Sequence, residues 1–310
     1  MNKPAITADE IKLLAAQAGF DACGLSPAAR LDDHAGLMEA WLKKGYQGEM
    51  SYLERNRGKR YDPTLLMEGA RTVISVLLNY FPAASLPDAQ SYKVSRYAYG
   101  RDYHTLIRDK LRHLLLLITE RTGPVTARVF TDSAPVLDRA WAHKSGLGFI
   151  GKNTCLIHPR KGSFLFIGHI ITSLEVDSEP VAVTDYCGTC RRCIDACPTG
   201  ALVDAHILDA RKCISYLTIE HRGELPARLK PKFDNWIFGC DICQEVCPWN
   251  SFSVAHNVPE FKAGSKLAHM TKRDWEQMDE QLFDELFADS AVQRTGFKGL
   301  KRNIDFLKEE

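Results

Sequence analysis

The residues of this chain that most clearly indicate a chemical role are its cysteines, because eight of the ten lie between positions 187 and 247. The first four are separated by two, two and three residues and are followed at once by Pro198; they are Cys187, Cys190, Cys193 and Cys197. The second half has the isolated Cys213 and then Cys240, Cys243 and Cys247, which Pro248 follows. This spacing is typical of bacterial ferredoxins, in which cysteine thiolates bind [4Fe–4S] clusters. Eight thiolates would hold two such clusters.

The spacing also indicates which cysteines share a cluster. In two-cluster ferredoxins the cysteine before the proline ligates the other cluster. We therefore assign Cys187, Cys190, Cys193 and Cys247 to a cluster I, and Cys197, Cys213, Cys240 and Cys243 to a cluster II. Cys213 stands 27 positions before Cys240, so an insertion separates two ligands of cluster II. We expect the insertion to form a surface whose role is other than binding the cluster.

Zinc sites and disulfide bonds are the two other interpretations of these cysteines. Zinc sites usually pair cysteines across a longer spacer, and disulfide frameworks belong to short secreted chains. The run that ends in Cys-Pro, repeated in part, favours iron–sulfur clusters over both. Met1 leads into a polar segment with no apolar signal core, so we expect a cytoplasmic protein.

Length and composition limit the remaining possibilities. A chain of 310 residues has room for a catalytic domain beside a cluster module, and length alone suggests about two domains. Lys and Arg total 40 against 39 Asp and Glu, so any nucleic-acid-binding surface would have to be local. No apolar run reaches the roughly 18 residues that a membrane-spanning helix needs, and we expect no membrane segment.

Several elements upstream of the cysteines are predicted from sequence pattern. Thr7, followed three residues later by Glu10, is typical of a capped helix start. The apolar run at 72–78 predicts a buried strand. A helix is expected at 105–122, where His113 lies among leucines and is interpreted as packed. A further strand at 125–130 would end just before Asp132.

Asp132 therefore follows a strand and precedes small residues and a turn, in the segment Thr131-Asp-Ser-Ala-Pro135. In α/β folds the carboxyl end of a strand is a common place for catalytic groups. The same carboxylate could instead cap a helix that starts near Pro135. The residues alone leave both roles open.

A glycine-rich loop comes next, Gly146-Leu-Gly-Phe-Ile-Gly-Lys-Asn153. Its Gly-x-Gly-x-x-Gly spacing matches a dinucleotide-binding fingerprint, but that fingerprint needs a strand before it and a helix after it. Here a helix precedes the loop and a strand at 154–157 follows. We interpret the loop as one that lets the backbone approach a large ligand closely, with Lys152 and Asn153 supplying polar contacts.

Two further segments could contact anions or bases. Arg55-Asn-Arg-Gly-Lys-Arg60 has four cations in six residues and is either a solvated turn or a phosphate clamp. Ser95-Arg-Tyr-Ala-Tyr-Gly-Arg-Asp-Tyr-His104 mixes aromatic and guanidinium groups. Such a mixture suits nucleotide stacking, but it also occurs in ordinary surface loops.

Together these segments resemble epoxyqueuosine reductase, a family that performs the last step of queuosine synthesis on tRNA. The resemblance extends over about residues 5–305 and is carried by Tyr99-Gly-Arg-Asp-Tyr-His104, Asp132-Ser-Ala-Pro135, Ser145-Gly-Leu-Gly-Phe-Ile-Gly-Lys-Asn153, Cys187 to Cys197 with Pro198-Thr-Gly-Ala-Leu202, Cys213-Ile-Ser215 and Gly239-Cys-Asp-Ile-Cys-Gln-Glu-Val-Cys-Pro248. It implies an α+β chain with three parts. A nitroreductase-like α/β cobalamin-binding domain (1–178) is followed by a bacterial two-[4Fe–4S] ferredoxin-like domain (179–260) and a helical, basic tail (261–310).

The resemblance also implies a reaction. The family removes the epoxide oxygen of epoxyqueuosine at the tRNA wobble position, using two electrons and releasing water. Asp132 matches the family's proposed proton donor, which favours the catalytic role over the cap. An enclosed site would then be expected to raise the pKa of its carboxyl. The eight cysteines match the family's cluster ligands, and the implied cobalamin contacts are Arg60, Asp132, Lys152, Asn153, Leu156 and Ser215.

One sequence pattern bears on how cobalamin would be held. Proteins that place a histidine on cobalt use Asp-x-His-x-x-Gly. Asp102-Tyr-His104 begins this pattern, but Ile107 stands where the glycine belongs. The incomplete pattern agrees with the family's binding of cobalamin without a protein histidine ligand.

The resemblance implies two partners and a monomer. The partners are tRNA bearing epoxyqueuosine, bound at its anticodon loop, and an external low-potential electron donor such as flavodoxin or ferredoxin. Many family members continue into a C-terminal HEAT-like repeat, whereas this sequence is a shorter form that keeps a basic segment. Its cations, together with those at 55–60, are candidates for phosphate contacts: Arg294, Lys298, Lys301 and Arg302.

Two alternative functions come from other classes. One is another corrinoid reductase that acts on a small molecule, such as a dehalogenase, which usually carries an export signal. The other is an electron-transfer iron–sulfur protein, which would have no use for the long segment before the clusters.

Overall fold

The computed structural model describes residues 6–86, 91–177 and 183–308. Its strands are β1 (Ala22–Pro27), β2 (Thr72–Asn79), β3 (Lys93–Val94), β4 (Ala127–Phe130), β5 (Phe149–Ile150), β6 (Leu156–Ile157), β7 (Leu165–Thr172), β8 (Leu202–Asp204), β9 (Ile207–Leu208) and β10 (Trp236–Phe238). Its α-helices are α1 (Ala8–Gln17), α2 (Asp32–Lys43), α3 (Arg57–Tyr61), α4 (Tyr103–Thr122), α5 (Asp138–Lys144), α6 (Arg192–Ala196), α7 (Ile214–Ile219), α8 (Ile242–Glu245), α9 (Ser265–Ala268), α10 (Lys272–Glu276), α11 (Glu280–Phe287) and α12 (Gly296–Leu307). No helix within the described ranges is long and apolar enough to cross a membrane.

A four-stranded sheet with the order β1-β2-β7-β4 forms the core of the first half. Each neighbouring pair is antiparallel. The predicted strand at 72–78 is β2, and it is an almost unbroken apolar run because both of its faces are covered. Ile74, Val76 and Leu78 pack against α1 and α4, whereas Val73 packs with Trp141 of α5 on the opposite face.

The predicted helix at 105–122 is α4, which begins at Tyr103 and runs for 20 residues. Asp102 caps it, since its side chain accepts a hydrogen bond from the backbone N–H of His104. Ile107, Leu111 and other buried residues of α4 face the sheet. His113 lies on the opposite, exposed face of the helix, so the expectation that it is packed was wrong.

The glycine-rich loop joins α5 to a hairpin formed by β5 and β6. A helix therefore precedes it and a strand follows it, as the sequence predicted, and it does not have the order of a dinucleotide-binding fold. Gly148 has a φ of 156°, and a Cβ atom there would lie 2.3 Å from the carbonyl oxygen of Ile157. Glycine is needed here because the two arms of the hairpin approach so closely.

The cluster loops surround the short helices α6 and α8, and the insertion between Cys213 and Cys240 contributes α7 and β10. β10 pairs in parallel with β3. Residues of β3 and β10 share a hydrophobic core with the C-terminal helices. The insertion is therefore clamped between the first part of the chain and its C-terminal segment. The domain limits at 178 and 260 stay a prediction, and the first of them lies outside the described residues.

The C-terminal helix α12 is fixed to the insertion by a buried amide. Asn303 is fully buried, and its Nδ2 donates hydrogen bonds of 2.8 Å to the carbonyl oxygens of Thr218 and Ile237. Arg302 donates further bonds to the carbonyl oxygens of Leu217, His221 and Gly223. These contacts place the basic segment against the cluster module.

We expect Asn303→Ala to destabilise the protein because two buried carbonyl groups would lose their donors. Each buried polar group left unsatisfied costs about 1–3 kcal/mol, so the free energy of unfolding should fall by about 2–6 kcal/mol. Thermal unfolding followed by circular dichroism measures the change. Lys298→Ala, at an exposed position of the same helix, is the control and should change stability little. An unchanged midpoint for Asn303→Ala would show that the amide does not hold the helix.

Candidate active site and cluster loops

The four cysteines assigned to cluster I surround one cavity. Among the residues that line this cavity of about 450 Å³ are Cys187, Cys190, Cys193 and Cys247. The last of these comes from the second half of the cysteine stretch, so the chain brings it across to the first half. Tyr186, Trp249 and Phe252 also line the cavity. No set of three or more His, Cys, Asp or Glu side chains within the described ranges has the spacing of ligands to one metal ion.

The four cysteines assigned to cluster II also lie near one another. Burial raises the pKa of the Cys240 thiol, and the neighbouring Cys213 and Cys197 raise it further. Burial likewise raises the pKa of Cys213, with a contribution from Cys197. A buried thiol at this position favours its neutral form until a metal displaces the proton.

A ninth cysteine was missed by sequence reasoning. Cys155 is a free thiol that is hydrogen-bonded to Cys243, and this hydrogen bond is the largest cause of the lowered pKa of Cys155. It lies just after the glycine-rich loop, 32 positions before the first cysteine of the stretch. No spacing signal in the sequence associates it with the clusters.

Lys152 and Asn153 connect the glycine-rich loop to both cluster loops. Lys152 Nζ donates hydrogen bonds to the carbonyl oxygens of Gly188 (2.5 Å) and Cys190 (3.0 Å). Asn153 Nδ2 donates to the carbonyl oxygen of Cys243 (3.2 Å). The observed contacts of these two residues are thus with the cluster module, and their contact with cobalamin stays a prediction.

Asp132 lies in the loop that follows β4, with a backbone φ of 51°. This left-handed conformation is uncommon for residues other than glycine, although aspartate tolerates it better than most. The helix α5 begins later, after Leu137, and has no side-chain cap. The alternative role of Asp132 as a helix cap was therefore wrong. Its side chain is 62% exposed, so the carboxylate is open to an incoming molecule.

Two side chains from the first turn of α4 hold the Asp132 carboxylate. The Tyr103 hydroxyl donates a hydrogen bond to Oδ2 of Asp132. His104 Nε2 lies 3.4 Å from the same oxygen. The other ring nitrogen of His104, Nδ1, lies 2.7 Å from Oδ1 of Asp102. One imidazole therefore connects two carboxylates.

These contacts determine the protonation states of His104 and Asp132. Burial favours the neutral form of His104, but its hydrogen bonds to Asp102 and Asp132 outweigh burial and raise its pKa to about 9. Partial desolvation by the surrounding protein favours the neutral form of Asp132, but hydrogen bonds from His104 and Tyr103 outweigh it and lower its pKa. The expected rise in the pKa of Asp132 depended on burial beside cobalamin and stays a prediction, whereas in this structure the facing histidine lowers it.

Arg60 is a buried arginine that contacts the backbone of Tyr52. It is 7% exposed, its Nη2 donates a hydrogen bond to the carbonyl oxygen of Tyr52 (3.2 Å), and its Nε has no partner among the described residues. The Tyr52 ring lies 5.7 Å from the guanidinium carbon of Arg294. Arg294 in turn forms a two-pronged ion pair with Glu220 at 3.0 and 2.9 Å.

The remaining predicted cofactor residues differ in their surroundings. Leu156 is 4% exposed and packs within the core with Leu147 and Leu165. Ser215 is half-buried in the first turn of α7, two residues after Cys213. Contacts of both residues with cobalamin stay predictions.

The basic segments are mostly engaged within the protein. Arg302 binds backbone carbonyls, and Lys301 Nζ donates to the carbonyl oxygen of Glu276 (2.5 Å). Arg57, in the cluster of cations at 55–60, pairs with Glu39 at 2.7 Å. Lys298 is exposed. The predicted phosphate contacts remain to be tested.

Comparison with family models assigns two parts of the chain. Residues 186–250 match a 4Fe-4S double cluster binding domain, which supersedes the zinc and disulfide interpretations of the cysteines. Residues 60–133, which include Asp132, match the model described as epoxyqueuosine reductase QueG.

Comparison with individual proteins extends the match to the whole chain. The epoxyqueuosine reductase of Cellulophaga algicola is 50% identical over 308 residues, which cover 99% of this chain and 100% of that protein. A crystal structure of epoxyqueuosine reductase with an epoxyqueuosine-modified tRNA-Tyr stem loop is 30% identical, with a TM-score of 0.88, and covers 96% of this chain and 80% of that one. A Bacillus subtilis structure, with its catalytic aspartate loop swung out of the active site, is 29% identical, with the same TM-score and coverage. The chain therefore belongs to the epoxyqueuosine reductase family.

Proposed function

We propose that this protein reduces epoxyqueuosine to queuosine at the wobble position of tRNA. The observation that carries the proposal is the exposed carboxylate of Asp132, which Tyr103 and His104 hold in place. A relative has been crystallised with an epoxyqueuosine-modified stem loop, and another has its catalytic aspartate loop swung out of the active site. The first relative supports a tRNA substrate, and the second supports a catalytic role for the Asp132 loop.

The residues around Asp132 suit a large, polar cofactor, which we take to be cobalamin. Arg60 offers a buried Nε without a partner among the described residues, and a buried donor of this kind normally has an acceptor. Arg60 and Ser215 would hold the cofactor, with Asp132 facing it. When bound, cobalamin would supply a strong reductant at the epoxide carbon. Both ring nitrogens of His104 face carboxylates, so this histidine is not placed to ligate cobalt.

The role of Asp132 follows from the chemistry of epoxide opening. Breaking the carbon–oxygen bond leaves charge on the oxygen, and an acid held within hydrogen-bond reach lowers the barrier. Asp132 would give the oxygen a proton. Tyr103 and His104 would keep the carboxyl group in position for that transfer.

Electrons would reach the site through the two clusters. The crossed ligand sets tie the two cysteine halves together, and cluster II is the nearer to the site because Cys213 neighbours Ser215. An external low-potential donor, such as flavodoxin or ferredoxin, would supply the electrons one at a time. The glycine-rich loop is bound to both cluster loops through Lys152 and Asn153. It would hold the clusters close to the site, so that the distance for electron transfer stays short.

The proposed function is tested by anaerobic reconstitution with iron, sulfide and cobalamin. The loaded protein is incubated with a reductant and tRNA bearing epoxyqueuosine, and the nucleosides are analysed by mass spectrometry. We expect loss of one oxygen that depends on added cobalamin. Unchanged tRNA in the presence of bound clusters and cobalamin would contradict the proposal and favour a small-molecule reductase.

We expect Asp132→Asn to abolish most of the activity while both clusters and cobalamin still bind. The amide has the size of the carboxyl group but cannot act as its acid, and general acid catalysis contributes about 10²–10⁴-fold. The rate of oxygen loss from the tRNA measures the effect, with iron content and corrin absorbance as loading controls. Asp109→Asn makes the same change at an exposed ion pair with Arg112 and should keep the parent rate. Parent activity in Asp132→Asn would rule out the proton-donor role.

The crossed cluster assignment predicts which cysteine substitutions remove the remaining iron once cluster I has been lost. Replacing Cys187, Cys190 and Cys193 together by serine should leave about four of about eight irons, in cluster II. Adding Cys247→Ser should remove no more iron, whereas adding Cys197→Ser should remove the rest. Iron analysis and electron paramagnetic resonance measure the outcome. The reverse pattern would show that each half holds its own cluster, and Cys23→Ala, outside the cysteine stretch, should keep the parent iron content.

A further inference from the structure

The proposed reaction consumes more protons than Asp132 can hold. Removal of an epoxide oxygen as water breaks two carbon–oxygen bonds and leaves a carbon–carbon double bond. The balance is one epoxide, two electrons and two protons, giving one alkene and one water. A single carboxyl group carries at most one proton, so another group must supply protons during the reaction.

The structure places an imidazole directly behind Asp132. His104 Nε2 lies 3.4 Å from Oδ2 of Asp132, and Nδ1 lies 2.7 Å from Oδ1 of Asp102. The His104 side chain is 24% exposed and that of Asp102 is 31% exposed, so solvent can reach the far end of this chain of groups. The near end, at Asp132, is 62% exposed.

We propose that His104, held by Asp102, supplies the protons that Asp132 gives to the departing oxygen, and that it does so twice in each turnover. This inference rests on the proposed function. His104 acts through Asp132 and is a positioning and proton-supplying residue. Neither family resemblance nor cysteine spacing assigned it this role.

The two transfers accompany the two bond cleavages. As the first carbon–oxygen bond breaks, the proton of His104 Nε2 moves to the Asp132 carboxylate, which passes a proton on to the oxygen. The oxygen is then a hydroxyl on the neighbouring carbon. As the second bond breaks, a second proton delivered by the same route lets that hydroxyl leave as water. The external donor supplies the two electrons, and solvent reloads His104 after each transfer.

The surrounding charges favour a proton stored on the imidazole. Asp102 and Asp132 raise the pKa of His104 to about 9 against the effect of burial, so the ring is charged at neutral pH. Asp132 is ionised there, since His104, Tyr103 and Arg294 outweigh its burial and lower its pKa. Arg108 Nε, one turn along α4, donates to the backbone carbonyl oxygen of His104 at 2.9 Å.

Tyr103 is the competing source of a second proton. Its hydroxyl also bonds Asp132, and its ring stacks on that of His104 with the centroids 4.1 Å apart. Burial and the Asp132 charge raise its pKa well above the usual value. Tyr103 therefore keeps its proton and serves as a hydrogen-bond donor to the carboxylate.

The test is the pH dependence of single-turnover oxygen removal by the reduced, cobalamin-loaded enzyme on tRNA bearing epoxyqueuosine. The parent rate should be flat near neutral pH and fall as pH rises through about 9, where His104 loses its proton. In His104→Gln the amide can still contact Asp132, but Asp132 must then take its proton directly from solvent. Loss of His104 also removes a cause of the lowered pKa of Asp132, so that pKa should rise in the variant. Above it the acid form of Asp132 becomes scarcer with each pH unit, and the rate should fall about tenfold per unit.

Two further variants separate proton supply from simple positioning. Asp102→Asn removes a charge that favours the imidazolium and should move the alkaline fall to lower pH. Tyr103→Phe removes a hydrogen bond but no stored proton, so it should lower the rate by a similar factor at every pH. Histidine NMR of the protein without cobalamin gives a readout that is independent of activity. The His104 signal, identified by its loss in His104→Gln, should titrate near pH 9 and at lower pH in Asp102→Asn.

The outcomes distinguish failure of this inference from failure of the proposed function. If the parent converts the tRNA but His104→Gln has the parent pH profile, or is slower by one factor at all pH values, His104 does not supply protons. An Asp102→Asn imidazole that titrates with the parent would also overturn the inference. If the parent leaves the oxygen in place, the proposed function is wrong and the inference fails with it.

Discussion

The buried carboxylate of Asp241 is the contact on which the arrangement of the site depends. It lies between the cluster II ligands Cys240 and Cys243 in sequence and is fully buried. It accepts hydrogen bonds from the Ser95 hydroxyl and from the backbone N–H and the guanidinium of Arg96. Burial raises its pKa, although these partners oppose the shift. A buried charge that lost such partners would cost several kcal/mol, so the segment at 95–96 is firmly held against the cluster II loop.

That anchoring determines where the catalytic groups stand. The segment held by Asp241 leads within a few residues to Asp102, which caps α4, and then to Tyr103 and His104 in its first turn. The helix packs along the sheet whose strand β4 ends just before Asp132. One continuous set of contacts therefore connects the cluster II loop to the carboxylate of Asp132, the proposed proton donor. Lys152 and Asn153 make a second connection, from the glycine-rich loop to both cluster loops.

The sequence predicted best those features that depend on local spacing. The capping box at Thr7 is present as predicted, the apolar run at 72–78 is the central strand β2, and the cysteine spacing identified the double cluster domain. Each of these signals lies within one short window. The exposed position of His113 shows the limit of that approach, because neighbouring leucines on a helix occupy more than one face.

Features that depend on contacts distant in sequence could not be predicted in the same way. Asp132 and His104 are separated by a helix and a strand, and only their meeting explains why the pKa of Asp132 falls when burial alone would raise it. The hydrogen bond between Cys155 and Cys243 likewise joins residues that are far apart in the sequence, so no local pattern predicts it. The role of Arg302 was also hidden, because a basic segment read in isolation gives no sign that its guanidinium binds three backbone carbonyls.

In the proposed mechanism, electrons and protons reach the substrate by separate routes through the protein. The cluster ligands lie in the second half of the chain, whereas Asp102 and His104 lie at the start of α4 with their own exposure to solvent. Adding electrons builds up negative charge at the site, and a nearby positive charge offsets it. An imidazolium behind Asp132 would supply that charge as a proton at each step. The buried contacts of Asp241 hold α4 and cluster II in one frame, so the two supplies would converge on the same oxygen without a large movement of the protein.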